Sequence, residues 1–169
     1  MSTITAQIMG VAEQIEASAI GVAIAESRYA YPVIEGIHLV GLSVSIGLIF
    51  LTDLRLLNLF LKRVPLQDML RHLRPYVIAG FIAVFVSGGL LFWSAAARML
   101  ESPAFVAKMV FMLFACINAL YFEFVIAQRE PVKQGQSMLP SSVRYAGFAS
   151  LSLWTLVVVC GRLIPYLPA

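Results

Sequence analysis

The sequence predicts an all-α integral membrane protein, a four-helix bundle preceded by an amphipathic interfacial helix. Three observations carry that prediction. Sixty per cent of the 169 residues are hydrophobic and only 12% are charged, about half the charged share of a soluble domain. Four apolar runs reach the roughly 20 residues that a helix needs to cross a bilayer. Lipid offers no partner to open backbone, so these runs must satisfy their own amides as helices and pack against one another.

Residues 1–30 form the first unit. Ile4, Ile8, Val11, Ile15, Ala19 and Val22 recur at helical spacing, while Gln7, Glu13, Gln14 and Glu16 gather elsewhere on the wheel. The acidic residues make this a poor crossing segment. It is expected to lie along the membrane interface, with a fifth span as the alternative. It also lacks the positive start of a cleaved secretory signal.

Residues 31–169 form the bundle. The first span covers 32–52, with Pro32 at the tolerated first turn of a helix and no charge from Leu39 to Thr52. Its apolar pattern runs on through "DLRLLNLFLKR" and breaks near Pro65. The second span, 76–97, opens after Pro75. The third, 103–128, contains Lys108 and Glu123, and the fourth, 145–164, stops before Pro165. Between the last two, "EPVKQGQSMLPSS" at 130–142 reads as a polar loop. Small residues spaced by four, such as Gly41 with Ser45 and Ala115 with Ala119, predict close helix contacts.

Orientation follows from the basic residues. The connections after the first and third spans carry Arg55, Lys62, Arg63, Arg71, Arg74, Arg129, Lys133 and Arg144, against Arg28, Arg98 and Arg162 on the other side. The basic side is expected in the cytoplasm and both termini outside, which in a bacterial inner membrane means the periplasm. The net charge of +3 is then a matter of topology. Nothing else supports binding to nucleic acid, so the lipid bilayer is the expected partner.

The chemistry-bearing residues gather in the outer half. His38 lies roughly 9 Å into the first span and Lys108 roughly 8 Å into the third, at 1.5 Å per residue. Trp93 ends the second span in the same layer, with Arg98 at its edge. Glu35 stands one turn before His38. Ionisable groups inside spans are unfavourable and tend to mark function. Their plainer reading is a polar lock, with Glu35 paired to Lys108 and His38 bonded to a neighbouring helix. His72 is expected on the opposite side, with about 30 Å of hydrocarbon between, so the two histidines cannot ligate one haem within a chain.

Asp53 and Arg55 read as an anchor at the inner end, within reach of Glu123, Arg129 or Arg144. Met109 and Met112 share a helix face, a weak pointer to copper. Cys116 and Cys160 read as buried free thiols, and no C-x-x-C, H-E-x-x-H, nucleophile elbow or phosphate-binding glycine loop is present.

"YPVIEGIHLVGLSVSIGLIFLTDLRLL", "GGLLFW" and "SPAFVAKMVFMLFACINALYF" together resemble a family of small, mostly uncharacterised bacterial inner-membrane proteins. That family shares E-x-x-H in the first span, D-L-R-L-L at its end and P-x-F-x-x-K opening the third. More distantly, the layout is similar to copper-resistance D-type proteins and HemJ-type protoporphyrinogen oxidases. The resemblance implies haem, porphyrin or copper near His38 and Lys108, with Glu35 from the closer family's motif.

The expected function is a b-type haem or porphyrin site in the periplasmic half, serving electron transfer as a subunit rather than an enzyme by itself. His38 would be the metal ligand and Glu35 would orient its second nitrogen. Lys108 and Arg98 would balance propionates, and Trp93 would pack on the ring. A periplasmic redox protein, other membrane subunits or a second copy of the chain are the expected partners. The alternative is a cofactor-free structural or accessory subunit. Copper or small-solute transport ranks third.

Overall fold

A computed structural model of the chain describes residues 3–128 and 140–167. Nearly all of the polar loop expected at 130–142 lies outside the described residues, as do Arg129 and Lys133. Within them the secondary structure is helical, with no strand. The helices are α1 (Thr3–Glu16), α2 (Ala19–Glu26), α3 (Ala30–Leu56), α4 (Leu66–Trp93), α5 (Ala96–Glu101), α6 (Pro103–Tyr121), which runs on into a π-turn (Phe122–Ile126), and α7 (Ser141–Leu163). Four stretches are long and apolar enough to cross a membrane: α3, α4, α6 with its π-turn, and α7.

The amphipathic segment is two helices rather than one. They bend by 65° at Ala17 and Ser18. Ser18 makes the break: its hydroxyl accepts from the Gly21 amide at 3.3 Å and caps α2. Gly21 is required there, because a Cβ would run into the Glu16 carbonyl. The pair docks on the turn between α4 and α5. Trp93 Nε1 donates to Ser18 Oγ at 2.8 Å, and the Ala97 amide donates to Glu16 Oε2 at 3.1 Å.

Two boundaries differ from the sequence reading for tertiary reasons. The second span starts at Leu66 and passes through Pro75. Proline removes one helical donor, but Leu66 and Met69 ahead of it are buried, and Leu66 joins a cluster with Leu56, Phe122 and Ile126. Burial of those side chains keeps the turns before the proline helical. At its other end α4 stops at Trp93, because Ala95 leaves helical geometry before α5 begins.

Close approach of backbones sets the packing. Ser45 is fully buried and donates to the Gly41 carbonyl at 2.8 Å. Gly80 of α4 faces it, and a Cβ at Gly80 would strike the Ser45 hydroxyl. At the far end, a Cβ on Gly147 of α7 would lie 2.8 Å from Leu56 Cβ. In the middle, Ile46, Ala115, Trp154 and Val157 form a second buried cluster. Val40, Ile82, Leu113 and Phe114 are among the large apolar side chains left on the outside, as a lipid-facing surface requires.

The inner end of α3 also departs from the sequence reading. Its chain turns out through Asn58 and Leu61, both with positive φ. Arg55 Nε donates to the Val64 carbonyl at 2.9 Å and ties this loop back to the helix. Glu123 pairs with Arg74 rather than with Arg55.

Candidate functional site

His38 of α3 and Lys108 of α6 line one chamber, a cavity of about 430 Å³ at the end of the bundle where α3 begins and α7 finishes. Its other walls are apolar and include five aromatic rings: Phe81, Phe85 and Phe92 from α4, Phe105 from α6 and Trp154 from α7. Phe92 and Phe105 stack with centroids 5.7 Å apart, which joins α4 to α6.

The imidazole is held in a defined orientation. His38 Nδ1 lies 3.1 Å from the Val84 carbonyl oxygen and 3.0 Å from Ser87 Oγ. A carbonyl can only accept, so Nδ1 is the donor and Nε2 keeps its lone pair. Among the described residues Nε2 has no hydrogen-bond partner. Ser87 donates its own proton to the Ala83 carbonyl at 2.5 Å, which leaves its oxygen free to accept from the ring. Room for the imidazole comes from Gly88, where a Cβ would lie 3.0 Å from His38 Cε1.

Lys108 is the second polar group of the chamber. Its side chain lies along α7 at Gly161, where an added Cβ would sit 3.7 Å from Nζ. Among the described residues Lys108 has no ion pair, the only one found there being Arg74 with Glu123. The pairing of Glu35 with Lys108 read from the sequence is therefore not made. A cation without a counter-ion, in a mostly apolar cavity, is suited to receive an anionic group.

Three residues expected at this site lie elsewhere. Glu35 is exposed, and the contact expected between it and the second imidazole nitrogen is made instead by Val84 and Ser87. Trp93 is 40% exposed and bonded to Ser18. Arg98 is exposed on α5, the helix whose Leu100 reaches the chamber. Met109 and Met112 do line it. Among the described residues no three His, Cys, Asp or Glu side chains gather as a metal site, and both cysteines are free.

Val84, Ser87 and Gly88 were the missed partners. Depth could have found them: Ser87 lies six residues before the end of α4 at Trp93, as His38 lies six residues after Pro32.

A model of a family of unknown function, DUF6644, matches residues 13–167. The chain belongs to that family. The match spans α2 to α7 whole and the last turn of α1, so the chamber falls within the family's common region. No curated protein and no solved structure matches this family member.

Proposed function

We propose that this family member holds a b-type haem or a porphyrin in the His38 chamber and serves electron transfer there. The observation that supports the reading is the held imidazole, with Nδ1 on a backbone carbonyl and Nε2 free beside an aromatic cavity. Metal-ligating histidines have their other ring nitrogen fixed in this way. A single axial histidine is a known way of holding haem iron, and the cavity falls within the usual 300–1,000 Å³ of small-molecule sites.

Bound haem would supply one-electron chemistry. The chain's own residues have separate tasks. His38 would hold the metal through its free nitrogen, and Val84 and Ser87 fix its ring. Lys108 receives a carboxylate, and the phenyl walls keep water out. Glu35 and Arg98 would then belong to the outer rim. The same reading puts the bundle in a bacterial inner membrane with both termini in the periplasm, because eight Lys and Arg fall on one side and three on the other. A periplasmic redox protein, another membrane subunit or a second copy of the chain would exchange the electron.

A second reading has its own observation. The bonds from His38 to Val84 and Ser87 tie α3 directly to α4, as the polar lock of a cofactor-free accessory subunit would. Copper has less support, resting on Met109 and Met112 beside the imidazole.

The test is an oxidised-minus-reduced visible spectrum of protein expressed with ample haem, beside a His38→Ala variant. Soret and α-bands in the parent that vanish in the variant are expected. A parent without bands removes the haem reading and leaves the helix lock.

A further inference from the structure

The same four spans enclose a second, smaller chamber at the opposite end of the bundle. It measures about 180 Å³ and is reached by Asp53 of α3, Arg74 of α4, Asn118 of α6 and Ser150 of α7. Phe81 and Trp154 line both chambers, with ring centroids 5.1 Å apart. This pair is the common wall between them.

Two polar atoms of the smaller chamber are buried without a partner. Asp53 is only 3% exposed, and its Oδ2 has no hydrogen bond among the described residues, although the Ser150 hydroxyl bonds the carboxyl. Trp154 is likewise 3% exposed, and its Nε1 is unpartnered. Each such atom is unfavourable if it stays bare, and native interiors rarely leave them so. Here one is an acceptor and the other a donor, carried by two residues that both line this cavity. A metal cation would suit Asp53 but would meet the positive end of the indole N–H. Water answers both, and a cavity of about 180 Å³ has room for it, with Asp53, Asn118 and Ser150 among the polar groups of a mostly apolar lining.

The charges around the chamber are few. Arg74 from α4 and Glu123 from the π-turn pair with each other at its edge, with side chains 52% and 34% exposed. Arg55, on the same helix as Asp53, is directed to the Val64 carbonyl. From α6 the chamber receives the Asn118 amide, which donates to the Ala146 carbonyl at 3.1 Å. From α7 it receives Ser150 and Trp154, without a charge. Among the described residues no cation pairs with the Asp53 carboxyl.

We propose that Asp53 is a proton-exchanging carboxyl in a water-filled chamber, open to solvent past Arg74 and Glu123 and closed toward His38 by Phe81 and Trp154. The step is proton transfer alone. The carboxyl O–H bond breaks, its electron pair stays on the carboxylate, and a chamber water leaves as hydronium; the reverse reloads the group. The inference is independent of whether the larger chamber binds haem.

The experiment is infrared difference spectroscopy of the full chain in lipid, titrated from about pH 4 to about pH 9 and repeated on Asp53→Asn. The expected result is a protonated-carboxyl C=O band that fades as pH rises and is missing from the variant. A band unchanged in the variant, or no titrating band, overturns the proposal. Should Asp53→Asn fail to fold, the unsubstituted protein treated with dicyclohexylcarbodiimide and mapped by mass spectrometry reads the same site. An adduct on Asp53 that falls about tenfold per pH unit above its titration supports the proposal. Adducts on other carboxyls with none on Asp53 overturn it.

Discussion

The two chambers are cut from the same four helices and share one wall, yet they ask for different occupants. The His38 chamber is the larger and mostly apolar, with an imidazole lone pair and, among the described residues, an ammonium without an ion pair. The Asp53 chamber is less than half that size and offers one buried acceptor and one buried donor. In an apolar bundle the informative quantity is unspent bonding capacity rather than residue type. On the two proposals above, a flat anionic metal complex would occupy the first and water the second.

Removing the shared wall should produce the largest effect. Trp154→Ala is expected to lose about 3–5 kcal/mol of stability, read by denaturant unfolding in mixed micelles, and to join the chambers. A loss under about 1 kcal/mol would mean that Trp154 is not their partition. Gly147→Ala should cost about 1–3 kcal/mol, because the new Cβ would meet Leu56 Cβ at 2.8 Å. It perturbs the Asp53 end and should leave the visible spectrum of a haem-loaded protein unchanged.

The neighbouring glycines of α4 sharpen the contrast at the other end. Gly88→Ala pushes on His38 Cε1, whereas a Cβ at Gly89 meets nothing within 4 Å. Haem titration should show about tenfold weaker binding for the first and parental binding for the second. Equal behaviour would separate His38 from the cofactor. Ser87→Ala is the mildest change. It removes one of two contacts to Nδ1 and should cost about 1 kcal/mol, with the Val84 carbonyl still holding the ring.

The four spans were legible in the sequence because each is a long apolar run with a polar or proline boundary. The meeting of His38 and Lys108 was legible too, since helical rise alone fixes their depth. The facing residue was not. Glu35 and His38 are three residues apart and share a helix side, so a pair was the natural reading, yet the backbone carbonyl of Val84 took the contact. Carbonyl acceptors carry no side-chain signature. Pro75 misled for another reason: a local helix breaker was overridden by burial of Leu66 and Met69, which depends on partners far along the chain. The partners around Asp53 were not legible, because sequence does not reveal that Arg55 turns to Val64 and that Arg74 takes Glu123.

The ring pair of Phe81 and Trp154 has an electrical consequence. Where water continuous with the two membrane faces fills both chambers, most of the membrane voltage falls across this single aromatic layer rather than across the full hydrocarbon thickness. A unit charge moved past it would then exchange nearly the whole of the roughly 2.3 kcal/mol per 100 mV that the bilayer stores, over a distance set by two side chains.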